Sequence, residues 1–137
     1  EIIRLPLPAN LDGNASGTAE AIKAELLKDP TIDSVLTLNA STADAAALAI
    51  EQAGVGDKVK LASTDLSASI LDRIKSGKQT MAVDQQPYLQ SFLAVTMLAA
   101  TIDWGTDLAT DPVLTGPAIV DSSNIDAALA GVAAGTR

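Results

Sequence analysis

Asn39, Asp65 and the run Asp84-Gln85-Gln86 each stand just after a stretch that reads as a β-strand: residues 32–38, 58–64 and 79–83. Amide and carboxylate groups are planar and present paired acceptors or donors. A hydroxyl-rich ligand needs that inventory, because each hydroxyl both donates and accepts. In open α/β sheets, ligands bind at the carboxyl ends of the strands. Three successive strand ends would therefore bring Asn39, Asp65 and Gln85 to one rim. The same residue types also make turns and cap helices. Asp84 suits either role, facing a ligand or holding a helix N-terminus through its dipole.

Other chemistries find less support. Asp65 and Asp84 form a conceivable carboxylate pair for glycoside chemistry, but such pairs need a set separation that nothing in the sequence fixes. The chain has no His and no Cys. Ser-His-Asp triads, Cys-His pairs and the usual zinc sites are thereby excluded. Gly13 and Gly17 do not make a dinucleotide fingerprint, and Gly54-Val55-Gly56 follows a helix, the wrong context for a phosphate loop. The expectation is no catalytic residue, no metal and no cofactor. The 137 residues carry 9 Lys and Arg against 17 Asp and Glu, a net charge of −8. That balance argues against nucleic acid, whose phosphates demand clustered Lys and Arg, and against anionic membrane surfaces. The longest uncharged stretch, 85–102, is interrupted by Gln90, Ser91 and Thr96. Its apolar part is too short for the ~30 Å hydrocarbon layer.

The elements that must position the rim follow from periodicity. Aromatic residues are only 2% of the chain (Tyr88, Phe92, Trp104), so the core must be built from Ala, Leu, Ile and Val. Residues 2–8 read as a first strand, with Pro6 and Pro8 placing it at an edge. Ala19, Ile22 and Leu26 recur at helical spacing up to about Lys28, where Asp29-Pro30 stops the helix. Strand 32–38 leads to an alanine-rich helix opened by Ser41 and Asp44 as a capping-box-like pair and ended by Gly54. Strand 58–64 precedes a short helix carrying Ile70, Leu71 and Ile74, capped by Ser67 or Ser69. After strand 79–83, Pro87 sits at the first position of a helix over 88–102, where proline is best tolerated. This helix is apolar on most of its circumference and so should be buried by more than one neighbour. A last strand over 113–120, broken by Gly116-Pro117, and a terminal helix capped by Asn124 complete the chain. Strands alternating with helices predict an α/β fold with a mostly parallel, doubly wound sheet.

The motifs, taken in order, resemble a known family. They are Thr31-Ile32-Asp33-Ser34-Val35 with Asn39, Lys60-Leu61-Ala62-Ser63-Thr64-Asp65, Ile74-Lys75-Ser76-Gly77-Lys78, Asp84-Gln85-Gln86-Pro87-Tyr88-Leu89-Gln90, Thr115-Gly116-Pro117 and Asn124-Ile125-Asp126. Together they resemble the second half of the periplasmic sugar-binding proteins of ABC transporters, the ribose-binding-like class. The resemblance covers nearly the whole chain, and Gln-Gln-Pro-Tyr is its most specific piece. It implies a two-lobed protein that closes on a monosaccharide or polyol without covalent chemistry and is then recognised by a membrane permease. It also implies that Asn39, Asp65 and Gln85 hydrogen-bond the ligand. Where many members have an acidic residue after the Asn, this chain has Ala40. Where they have Gly-Phe before the Asp and Gly-Tyr after Gln90, it has Ser63-Thr64 and Ser91-Phe92. A ligand other than a simple pentose or hexose is consistent with these departures.

By the same resemblance, residues 1–86 and 112–137 form the second lobe without its opening strand and helix, and 87–111 is a helix and loop that packs on the first lobe. The expectation is a cleaved or truncated piece of a longer protein. The remaining part would then be a companion chain or a swapped neighbour. Location would be periplasmic, or extracytoplasmic and lipid-anchored in a Gram-positive source. Two other functions compete: the effector-binding domain of a lactose-repressor-type regulator, and an α/β enzyme using Asp65 and Asp84.

Overall fold

The computed structural model describes residues 2–11, 13–107 and 112–137. A short 3-10 turn at Ala9–Leu11 precedes the helix α1 (Ala15–Lys28). There follow β1 (Ser34–Thr37), α2 (Ala40–Ala53), β2 (Lys60–Thr64), α3 (Ala68–Lys75), β3 (Met81–Asp84), α4 (Pro87–Trp104), β4 (Ala118–Asp121) and α5 (Ile125–Ala133). The strands form one sheet in the order β1-β2-β3-β4. The first two pairings are parallel and the last is antiparallel. The mostly parallel α/β sheet expected from the sequence is therefore present.

Local chemistry sets most helix ends. Asn14 Oδ1 accepts the Gly17 N–H at 2.9 Å and starts α1. Ser67 Oγ accepts the Ile70 N–H at 3.2 Å and starts α3, so Ser67 rather than Ser69 is its cap. Gly54 ends α2 at φ 68°, the left-handed conformation that costs glycine nothing.

The core forms two clusters on one face of the sheet. Leu61, Ser63, Ala82 and Val120 share that face, as strand register and alternation require. Ala46 and Ala49 of α2, fully buried, meet Ala19, Ile22 and Leu26 of α1 above Leu61. The small alanines let the two helices approach closely. Ile70, Leu71 and Ile74 of α3 pack with Ala82, Val120, Ile125 and Ala128 in the second cluster. Burying each of these three side chains contributes roughly 1.5–3 kcal/mol. The opposite face carries the exposed side chains Leu36 and Ile119. The doubly wound layering is thus half built by the described residues.

Three expectations need correction. Residues 2–8 form no strand, and Ile2 is 90% exposed. Pro6 and Pro8 lack ladder donors, and the outer edge of β1 has no neighbour in the sheet. The cap of α2 is Asn39, whose side chain accepts the Thr42 N–H at 2.8 Å; Ser41 donates its hydroxyl to the same oxygen. The final strand is Ala118–Asp121 rather than 113–120, because Pro117 cannot donate and Thr115 is held elsewhere. Helix α4 buries none of its residues in this chain. Tyr88, Phe92, Val95, Leu98, Ile102 and Trp104 are all exposed. The loop expected within 87–111 lies in part, at 108–111, outside the described residues. Among the described residues no helix is long and apolar enough to cross a membrane.

Candidate functional site

The carboxyl ends of β2 and β3 come together at one point. Asp65 follows β2 with φ 67°. Aspartate tolerates this left-handed backbone better than most residues. Its N–H donates to the Val83 carbonyl at 2.8 Å, so the turn is stitched to the neighbouring strand. Gln85 follows β3, and its Nε2 donates to Asp65 Oδ1 at 2.5 Å. Gln85 is exposed and Asp65 half-buried. One carboxylate oxygen is thus engaged, and the pair presents acceptors and a carboxamide side by side.

Gln86 is also left-handed, at φ 57° and ψ 59°, and forms the entry to α4. Its conformation is held from both sides. The Gln86 N–H donates to Asp84 Oδ1 at 2.8 Å, and its Nε2 donates to the Thr115 carbonyl. Thr115 Oγ1 returns a bond to the Gln85 carbonyl at 3.2 Å, and Gln90 Nε2 donates to that same carbonyl at 2.7 Å. Gly116 lies so close that a Cβ there would sit 3.3 Å from the Asp84 carbonyl. The chain therefore leaves the sheet at Gln85-Gln86 and returns at Thr115-Gly116 through adjoining, cross-bonded passes.

Asp84 borders the site but is tied into the structure beneath it. It is 2% exposed, with Oδ2 accepting from Arg137 Nε at 2.6 Å. Both of its oxygens are committed, to Arg137 and to the Gln86 N–H. Of its two possible roles, the structure shows the one that holds the start of α4. An Asp65–Asp84 acid–base pair finds no second free carboxylate here.

Asn39 stands one strand away. Thr37, the last residue of β1, pairs with Ser63, so Asn39 leaves the sheet at the same end as Asp65. Its side-chain oxygen is spent on the α2 cap, which leaves the Nδ2 donors for other partners. The structure joins Asp65 and Gln85 directly and does not bring Asn39 into contact with either.

Two cavities adjoin the site. A cavity of about 300 Å³ is lined by Asp65, Ser67, Asp84, Gln85, Gln90 and Arg137, among others. A larger groove of about 620 Å³ runs between α4 and the returning segment, with Leu93, Met97 and Leu114 among its walls. Asp84, Gln85 and Gln90 border both, while Asp65 and Arg137 line only the smaller one. Among the described residues no cluster of His, Cys, Asp and Glu is suited to hold a metal ion.

Sequence reasoning missed two supports. Arg137 lies 53 residues from its partner Asp84, and nothing local announces it. Beneath β2, Gln79 is 2% exposed and Ser63 fully buried. Gln79 Nε2 donates to Ser63 Oγ at 2.8 Å, while its Oε1 accepts from Arg73 Nε at 3.1 Å. Arg73 Nη2 in turn sits 2.8 Å from Asp44 Oδ1, an ion-pair contact. An apolar-periodicity reading passes over such residues because their burial depends on partners from other elements.

Comparison with known proteins bears on the fold and the family. Residues 7–107 match the periplasmic binding protein domain family. A carbohydrate transporter from Acidothermus cellulolyticus 11B, solved with myo-inositol, is 36% identical, with a TM-score of 0.78; the match covers 90% of this chain and 43% of that one. The Caulobacter myo-inositol binding protein is 28% identical with a TM-score of 0.69, covering 82% of this chain and 38% of that one. An ABC transporter solute binding protein from Agrobacterium vitis, bound with α-D-tagatopyranose, is similar in fold at 23% identity and TM-score 0.77, covering 95% of this chain and 42% of that one. A search of the curated proteins gave no match. The chain spans about two-fifths of the length of these solved structures. On the family match, which takes in more than half its residues, the chain belongs to the periplasmic binding protein domain family.

Proposed function

We propose that this chain forms one wall of a sugar- or polyol-binding cleft in the solute-binding component of an ABC transporter, with Asp65, Gln85 and Asn39 as the hydrogen-bonding residues. The observation that carries the reading is the Asp65–Gln85 pair at adjoining strand ends, lining one cavity. A carboxylate next to a carboxamide matches vicinal hydroxyls, which donate to the first and exchange bonds with the second. The 36% identical structure solved with myo-inositol supports a cyclic polyol as the first compound to try. Binding is non-covalent, and Asp84, tied to Arg137, takes no part in acid–base chemistry.

In this reading, 87–111 packs on the protein's other lobe. Support comes from the apolar face of α4, which has no cover here, and from the cross-bonded passes at Gln86 and Thr115. Closure of the lobes would present the loaded form to a membrane permease, at an extracytoplasmic location. A LacI transcriptional regulator from Bacteroides fragilis shares the fold at 18% identity and TM-score 0.67. That likeness is the one observation favouring an effector-binding domain instead. A helix-turn-helix segment in the full-length protein would favour the regulator, and a secretion signal the transporter.

The test is a thermal-shift screen of the full-length protein against myo-inositol, tagatose, arabinose, ribose and glucose. A ligand at a hundred times its Kd stabilises the folded state by about 2.7 kcal/mol, a readable rise in Tm. A flat response to every sugar and polyol would refute the proposal.

A further inference from the structure

Arg137 reaches its partner by a specific route. Helix α5 ends in a paired-bond turn: the Thr136 N–H donates to the Gly131 carbonyl and the Gly135 N–H to the Val132 carbonyl, both at 3.0 Å. This is the Schellman arrangement, and it requires a left-handed residue, here Gly135 at φ 68°. The turn folds the chain back along α5. Arg137 then lies against Gly131: a Cβ on that glycine would touch Cβ and Cδ of Arg137 at 3.4 Å. The guanidinium then meets Asp84 at 2.6 Å, where the carboxylate is almost wholly buried.

We propose that Arg137 is a positioning residue for the Asp65–Gln85 rim, acting through Asp84; the proposal rests on the reading of that rim as the ligand site. The chain of contacts is short. Arg137 Nε holds Asp84 Oδ2, and Asp84 Oδ1 holds the Gln86 N–H. Gln86, left-handed, directly follows Gln85, whose Nε2 donates to Asp65. A buried carboxylate without a cation must take up water or turn toward another donor. Either movement frees the Gln86 N–H and loosens the presentation of Gln85. Arg137 also lines the 300 Å³ cavity with Asp65 and Gln85, so the support and the rim share one wall.

The test uses the full-length protein with two readouts. Amide hydrogen exchange at Gln86 reports the support, and calorimetric titration with myo-inositol reports the rim. In Arg137→Gln, exchange at Gln86 should speed up tenfold or more while the Leu71 amide, deep in α3, keeps its rate. The Kd for myo-inositol should rise by a similar factor. The double variant Asp84→Asn/Arg137→Gln removes the stranded charge yet keeps an oxygen for the Gln86 N–H, so it should recover protection and much of the affinity. It also serves if the single variant does not fold. Unchanged Gln86 exchange in Arg137→Gln overturns the proposal, and so does a double variant in which Gln86 stays unprotected. So does a lost Gln86 protection with unaltered myo-inositol affinity. If the parent protein binds no sugar while Gln86 loses protection as expected, the support role of Arg137 stands and the sugar-site reading fails.

Discussion

Gln85 and Asp65, 20 residues apart, are joined by a 2.5 Å hydrogen bond that bridges the ends of two parallel strands. The bond fixes the carboxamide beside the carboxylate before any ligand arrives. Pre-ordering of this kind reduces the side-chain entropy lost on binding. It also means that either residue alone is an incomplete site.

Asp65 is the place to cut the site. Asp65→Ala in the full-length protein should weaken sugar binding by about 1.5–3 kcal/mol for each hydrogen bond lost to the charged group. Alanine at φ 67° adds backbone strain of roughly 1–2 kcal/mol. Asp65→Asn keeps the backbone preference and tests the charge alone. Calorimetry giving both variants the parent's affinity would remove Asp65 from the site.

Gln79 supports the sheet beneath the rim. Gln79→Leu strands Ser63 Oγ and takes the acceptor from Arg73 Nε. Leaving such buried groups unpaired costs about 1–3 kcal/mol. Urea denaturation should show a lower midpoint with the slope unchanged, and an unaltered midpoint would mean that water replaces the side chain.

Thr37 offers the opposite case. Its Oγ1 is buried without a hydrogen-bond partner among the described residues. Thr37→Val keeps the shape and deletes the unpaired group, so stability should hold or rise by up to about 1 kcal/mol. A clear loss would show that the hydroxyl has a partner in the full-length protein.

Helix α4 tests the lobe arrangement. Val95 is 69% exposed in this chain. If residues 87–111 pack on another lobe, Val95→Asp should destabilise the full-length protein by about 2–3 kcal/mol, the range for burying a poorly paired charge. A denaturation midpoint equal to the parent's would leave that face in water.

Two exposed turns set a small acid dependence. Asp29 accepts from Thr31 Oγ1 and the Thr31 N–H, and Asp121 does the same with Ser123. These bonds, the side-chain one first, hold both carboxyls below the ordinary aspartate value. A lowered folded-state pKa contributes stability above the unfolded value, and that share is lost as pH falls through the folded one. Asp121→Asn should flatten the acid limb of a stability–pH curve slightly. An identical limb in the variant would place the effect elsewhere.

Much of the architecture was legible in residue order. Ala19, Ile22 and Leu26, the alanine run before Gly54, and Ile70, Leu71 and Ile74 announced their helices because periodicity and capping are local. The residues after each strand could be named for the same reason. Pairing is not local. Residues 2–8 have the composition of a strand but join no sheet among the described residues, whereas the exposure of α4 fits the expectation that its partner lies on another lobe. Asn39, open to a ligand or a cap role in the sequence, spends its side-chain oxygen on the cap of α2. Asp84, open to two roles in the sequence, is decided by Arg137, which reaches it because Gly135 turns the chain back along α5. The sequence by itself determined the helices and the strands that alternate with them, because periodicity and breakers are local. Only the tertiary structure decided which of those residues meet, because burial and partnership depend on segments far apart in the chain.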